Sequence, residues 1–261
     1  MPLWEKNTPG LDPAIADKPY IDPYILDNGK KTGVVVVLPG GGYVNKAAHE
    51  AEPIARMLND AGISAVVCNY RVSPYRHPYP LMDAKRAMRL VRANAAAWNI
   101  DPDHVGVLGF SAGGHLASTI ATHWNYNEEP STADAVDAFS CRPDAAVLCY
   151  AVIALSEPFG HTGSMKNLLG ENPSDDLIRF LSNEKQVNEK TPPTFLWHTA
   201  DDAVVNVKNA YAFAAALRDN NVPCEMHIYP HGRHGLGVSR DIPEVTGWAG
   251  LCTAWLKRLG F

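Results

Sequence analysis

The sequence predicts a mostly parallel, doubly wound α/β sheet with helices on both faces, for three reasons. Apolar runs of strand length alternate with helix-length amphipathic stretches from residue 33 almost to the C-terminus. The first run, Gly33 to Leu38, holds four consecutive valines without polar alternation, as a parallel strand covered on both faces requires. The connections between successive units are short, as in chained β-α-β crossovers. With 261 residues, 46% of them hydrophobic and 20% charged, the chain can bury a full core as one domain spanning 1–261.

The elements follow in order. Residues 1–32 are rich in Pro, Asp and Tyr and show no sustained period, so they are expected to wrap the surface. The valine strand ends in the turn Pro39-Gly40-Gly41-Gly42-Tyr43. A helix is expected near His49–Asp60, stopped by Gly62, then a strand over Ile63–Asn69 and a helix over Leu81–Trp98. Val105–Phe110 reads as a strand, Ala112–Trp124 as a helix, and Ala145–Tyr150 and Thr194–Thr199 as strands. Val207–Asp219 reads as a helix, Cys224–Ile228 as a strand, and Glu244–Leu259 as the closing helix. Two stretches interrupt this rhythm: the polar, acidic Asn125–Pro143, and Ser156–Pro193, with a short helix expected near Asp175–Leu181. The second is long enough to be a lid or substrate loop.

Composition excludes some functions before any motif is read. Lys and Arg number 23 against 28 Asp and Glu, a formal net charge of −5, which offers no general attraction to nucleic acid or to an acidic membrane surface. The N-terminus lacks the basic-then-apolar pattern of a signal peptide, and no run approaches the roughly 18 apolar residues of a membrane span. A soluble, cytoplasmic protein is expected. Its five cysteines form no C-x-x-C pair and sit largely in apolar runs, as reduced structural residues do. Association into a homo-oligomer is left open.

Ligands of doubly wound sheets bind at the carboxyl ends of the strands, so chemistry is sought there. Gly109-Phe110-Ser111-Ala112-Gly113 lies between an apolar strand and a helical stretch. Without that context G-x-S-x-G is a weak signal in a chain with 20 glycines. In it, the turn lifts the Ser111 hydroxyl clear of the sheet and sets the Ala112 N–H and the positive helix end beside developing negative charge. The glycine spacing does not suit a dinucleotide-binding turn. Gly40 to Gly42 follow the first core strand and allow close backbone approach, which makes Gly41 and Gly42, with Ala112, the candidate oxyanion donors.

A serine hydroxyl needs a histidine to take its proton, and that histidine needs an acid to orient it. In the order this fold imposes, the acid precedes the histidine. Asp202, after the strand ending at Thr199, begins a D-x-x-V-N run and is the candidate acid, with neighbouring Asp201 the lesser candidate. His234, in Tyr229-Pro230-His231-Gly232-Arg233-His234-Gly235, is the candidate base. His231-x-x-His234 has no nearby third ligand and Pro53 breaks a zincin reading of His49-Glu50, so neither a metal nor any other cofactor is implied. His115 reads as a packed helix residue. Tyr43 and Trp124 are candidate substrate-binding walls.

With these residues placed, the chain resembles the hormone-sensitive-lipase-like esterases of the α/β-hydrolase superfamily, and more closely their short bacterial acetyl and acetyl-xylan esterases. The carriers are L-P-G-G-G-Y at Leu38–Tyr43, N-Y-R-V-S-P at Asn69–Pro74, Y-P-L-M-D at Tyr79–Asp83, G-F-S-A-G-G-H-L at Gly109–Leu116, H-T-A-D-D at His198–Asp202 and Y-P-H-G-R-H-G at Tyr229–Gly235. The resemblance implies the α/β-hydrolase fold with a reduced cap and Ser111, Asp202 and His234 as a triad. It also implies small-molecule or oligosaccharide ester substrates, chiefly acetylated sugars such as xylo-oligosaccharides. Pro39 stands where the family's first motif usually has histidine, while the donor glycines are kept. Arg71 and Asp83 match positions read as a structural pair. Feruloyl esterase and general short-chain carboxylesterase activity remain alternatives; a peptidase or a non-catalytic receptor on the same fold fits less well.

Overall fold

The computed structural model describes residues 1–15, 17–126, 134–239 and 241–261. The strands are β1 (Tyr20–Tyr24), β2 (Thr32–Leu38), β3 (Ser64–Asn69), β4 (Ile100–Phe110), β5 (Ala145–Cys149), β6 (Thr194–Thr199) and β7 (Cys224–Tyr229). The helices are α1 (Glu52–Asp60), α2 (Tyr79–Ala93), α3 (Ser111–His123), α4 (Thr162–Leu169), α5 (Asp175–Phe180), α6 (Lys208–Asp219), α7 (Pro243–Thr246) and α8 (Trp248–Arg258). One sheet runs in the order β1-β3-β2-β4-β5-β6-β7, with β1 antiparallel to β3 and all other pairs parallel. This is the doubly wound α/β-hydrolase architecture. Among the described residues, no helix is long and apolar enough to cross a membrane.

The valine run shows why no polar alternation was needed. Val34, Val36 and Leu38 belong to the core beneath α2, α3 and α6, whereas Val35 and Val37 belong to the core beneath α1 and α8. The period of two is present, but both faces are apolar. The connection from β2 runs to β3 on one side, and the next strand, β4, returns to the other side of β2. That reversal is a topological switch point, which opens a crevice at the carboxyl ends of β2 and β4. The glycine turn and Ser111 sit at those two strand ends.

Several boundaries differ from the sequence reading. The N-terminal segment is more than a wrap, because β1 adds an antiparallel edge strand. Its half-exposed positions and Pro23 hide the strand signal, and Pro23 is tolerable at a sheet edge. The helix expected from His49 begins only at Glu52 after a short 3₁₀ turn at Ala48–Glu50. The second helix starts at Tyr79 and stops at Ala93, and the closing helix is two, α7 and α8. In Ser156–Pro193 the sequence revealed α5 but not α4, whose N-cap is the uncommon His161, its side chain accepting the Ser164 N–H. The centre of the Asn125–Pro143 stretch, 127–133, lies outside the described residues.

Arg71 and Asp83 form the expected pair, both fully buried. The guanidinium meets the carboxylate at 2.7 Å, donates to the Pro9 carbonyl at 2.6 Å, and lies over the rings of Trp4, Tyr75 and Tyr79. The pair therefore ties the N-terminal segment to the core.

Two buried histidines of α3, together with the half-buried His77, hold the Ser156–Pro193 insertion. His115 Nε2 donates to the Leu181 carbonyl (2.8 Å) and His123 Nε2 to the Phe180 carbonyl (2.9 Å), while the ring of His77 faces Phe180. Burial, aided by neighbouring positive charge, lowers all three to about 4. As pH falls, the unfolded chain therefore takes up these protons first. The stability they confer is full above about 6.5 and is lost as pH drops from there toward 4, by on the order of 3 kcal/mol for a group shifted as far as His115. One such group alone is expected to lower the thermal midpoint by roughly 5–10 °C over that window. A level midpoint would mean that these histidines are not held neutral.

Candidate active site

Ser111 is the first residue of α3 and has φ +51, a strained left-handed conformation for a non-glycine residue. The flanking glycines are required by close contacts. A Cβ on Gly109 would lie 2.1 Å from the Gly113 carbonyl oxygen, one on Gly113 would lie 2.2 Å from the Leu38 oxygen, and one on Gly114 would lie 2.5 Å from the Ala151 Cβ. The turn is thus pressed against β2 on one side and the chain after β5 on the other. The Ser111 carbonyl accepts the Val152 N–H at 3.0 Å.

The structure brings Ser111, His234 and Asp202 together across separations of more than 30 residues in sequence. His234 Nε2 lies 2.8 Å from Ser111 Oγ, and His234 Nδ1 lies 2.7 Å from Asp202 Oδ2. A carboxylate only accepts, so the proton of the neutral imidazole sits on Nδ1 and leaves Nε2 to receive the serine proton. Asp202 Oδ1 accepts the N–H groups of Val204 (2.8 Å) and Val205 (2.9 Å). Burial alone would raise this carboxyl, but hydrogen bonds from His198, His234 and the Val205 N–H outweigh it and hold the group well below the usual carboxylate range.

His198 is a site residue the sequence did not single out. It is fully buried, with Nε2 donating to the Val205 carbonyl at 2.9 Å and 3.3 Å from Asp202 Oδ2. Its sequence signals are its place on the buried strand before the acid and its position at the head of the H-T-A-D-D run. Asp201 plays a different part, accepting from His231 Nδ1 (2.9 Å) and the Gly232 N–H (2.8 Å), and so braces the loop that carries His234. His231 is thereby paired with Asp201. Among the described residues no group of three His, Cys, Asp or Glu is placed to hold a metal ion.

The glycine turn closes on the serine from the β2 side. A Cβ on Gly40 would come within 3.0 Å of the Ser111 Cβ; Gly41 and Gly42 have φ +132 and +64, which favour glycine. The N–H groups of Gly41, Gly42 and Ala112 have no acceptor among the described residues. The turn is held from three directions. The Tyr70 hydroxyl donates to the Pro39 carbonyl (2.5 Å), the Gly40 N–H donates to Glu50 Oε2 (2.7 Å), and Asn167 Nδ2 of α4 donates to the Gly42 carbonyl (2.8 Å).

Asn167 brings the insertion to the site, and His161 reinforces that placement. Burial is the main reason the His161 pKa lies below that of a free imidazole, and its ring caps α4 through Ser164. The two candidate wall residues lie elsewhere. Tyr43 is 1% exposed, with its hydroxyl 2.8 Å from His115 Nδ1, so its side chain is core rather than pocket wall. Trp124 follows the far end of α3, roughly 20 Å of helix from Ser111. His115 is fully buried, as a packed helix residue should be.

A family model described as BD-FAE matches residues 21–217. Endo-1,4-beta-xylanase B of Butyrivibrio fibrisolvens is 37% identical over 254 residues, 95% of this chain and 39% of that one. Acetylxylan esterase of Xylanibacter ruminicola is 36% identical over 208 residues, 78% of this chain and 41% of that one. The chain thus spans about two fifths of the length of these curated relatives. Among solved structures, the acetyl ester-xyloside bifunctional hydrolase of Caldicellulosiruptor lactoaceticus superposes with a TM-score of 0.96 at 54% identity, covering 100% of this chain and 96% of that one.

Proposed function

The chain belongs to the BD-FAE family, and from that membership and the Ser111 site we propose that it is a serine carboxylic-ester hydrolase that removes acetyl groups from carbohydrates such as xylo-oligosaccharides. The observation that carries the reading is the position of His234, 2.8 Å from Ser111 and 2.7 Å from Asp202.

In the proposed reaction, Ser111 Oγ attacks the ester carbonyl as His234 Nε2 takes its proton. The carbonyl oxygen becomes an oxyanion, received by the N–H groups of Gly41, Gly42 and Ala112 at the positive end of α3. Asp202 stays ionised and stabilises the imidazolium. His234 then returns the proton to the departing sugar oxygen, which leaves an acetyl ester on Ser111. Water, deprotonated by His234, attacks that ester, and collapse of the second oxyanion releases acetate and restores the serine.

The sugar-acetate preference is supported by the xylan-directed names of the relatives. Cytoplasmic residence belongs to the same proposal and is supported by five free cysteines. Acetylated xylo-oligosaccharides, methyl ferulate and p-nitrophenyl esters from acetate to octanoate separate the readings. Acetate release from the oligosaccharide and a kcat/KM that peaks at the acetyl ester are the expected results. A peak at octanoate, or ferulate turnover exceeding acetate release, would reject the substrate class while leaving the nucleophile in place.

A further inference from the structure

Glu50 is a buried carboxylate with both oxygens engaged, and its partners belong to two different loops of the site. It is 2% exposed; Oε2 accepts the Gly40 N–H at 2.7 Å, and Oε1 accepts the Tyr150 hydroxyl at 2.6 Å. The Tyr150 oxygen in turn accepts the N–H of Gly237 at 2.9 Å, and the Gly237 carbonyl accepts the Trp248 indole N–H at 3.1 Å. One end of this chain is the residue before Gly41 and Gly42. The other lies three residues beyond His234, and the Tyr150 ring sits against the His234 imidazole with centroids 5.0 Å apart.

Two features go beyond what packing alone would call for. Burying a carboxylate is costly unless every lone pair that matters is matched, and an apolar pair of the same volume would serve stability as well or better. Tyr150 also has φ +35, a strained conformation for a residue with a side chain, while its N–H donates to the Trp197 carbonyl at 2.8 Å. What the carboxylate uniquely provides is acceptance from two donors at once, in fixed directions. There is no slack at the Gly40 end, where an added Cβ would come within 2.7 Å of Glu50 Oε2 and 3.0 Å of the Ser111 Cβ.

We propose that Glu50 and Tyr150 are positioning residues that hold the oxyanion turn and the His234 loop in register with each other, an assignment that rests on the ester-hydrolase reading of the Ser111 site. A glutamine at position 50 has one acceptor oxygen and an NH₂ that must face either the Gly40 N–H or the Tyr150 hydroxyl, so one link reverses or breaks. A phenylalanine at position 150 removes the hydroxyl from Glu50 Oε1, leaving that oxygen only the longer contact to His49 Nε2 at 3.6 Å, and deprives the Gly237 N–H of its acceptor.

Glu50→Gln, Tyr150→Phe and the double variant are to be assayed on p-nitrophenyl acetate, with near-UV circular dichroism and thermal midpoints as controls for folding. Misplaced oxyanion donors raise the transition state more than the bound substrate, so kcat is expected to fall about 30- to 300-fold in Glu50→Gln with KM changed less than about 3-fold. Tyr150→Phe is expected to fall about 10- to 100-fold, and the double variant to be no more than about 3-fold below the worse single one, because both break one chain. Folded variants with kcat within about 3-fold of the parent, or losses that multiply, overturn the assignment. Tyr150→Phe, which deletes a single oxygen, decides the matter should Glu50→Gln fail to fold. A parent protein with no esterase activity overturns the ester-hydrolase reading and this assignment together; an active parent with unaffected variants overturns this assignment alone.

Discussion

Ser111→Ala is expected to lower kcat for an acetyl ester by about 10⁵-fold or more while KM stays within a few-fold, because the nucleophile is lost and the binding surface is kept. The backbone at position 111 has φ +51 in either case, so the alanine variant inherits the same strain and should melt close to the parent. Its residual rate would report what the Gly41, Gly42 and Ala112 donors achieve with water alone. A fluorophosphonate probe should add one phosphonyl group to the parent at Ser111 and none to the variant, as read by intact mass and peptide mapping. A variant that keeps a tenth of the activity, or labels elsewhere, would remove Ser111 from the reaction.

Asp202→Asn should cost about 10³- to 10⁴-fold in kcat, and the local hydrogen bonds say why. The main-chain N–H groups of Val204 and Val205 both point at Oδ1, so the asparagine must place its oxygen there. Its NH₂ then faces His234 Nδ1 from the position of Oδ2, with His198 Nε2 also a donor 3.3 Å away. His234 must turn Nδ1 into an acceptor, which moves its proton to Nε2 and leaves no base for Ser111. Loss of activity with little change in KM, and phosphonylation slowed in parallel, is the expected pattern. Activity within about tenfold of the parent would show that another group orients His234.

How much of this was legible beforehand follows the range of the interactions. The alternation of strand and helix, the four buried valines and the strand-serine-helix turn are local patterns, read within about ten residues. The order of Ser111, Asp202 and His234 was readable because the fold constrains which strand ends can meet. Tyr43 was misplaced because an aromatic residue beside a glycine turn suits a pocket wall or a core equally well; only its contact with His115, 72 residues away, decides between them. β1 escaped because an edge strand with a proline and mixed exposure has no clean period.

Alone, therefore, the sequence determined a doubly wound α/β sheet, a serine at a tight strand-to-helix turn, and the three side chains that the structure brings within hydrogen-bond distance of one another. These depend on backbone periodicity, steric demands on glycines and chain order, all of which act locally or through topology. Tertiary structure alone decided what holds those groups in place. Asn167 reaches Gly42 over 125 residues, Glu50 meets Tyr150 over 100, and Tyr150 meets Gly237 over 87. A buried hydrogen bond between distant residues leaves no period or spacing in the chain, since either partner by itself is only one polar residue among many, and its energy appears once folding removes water from both.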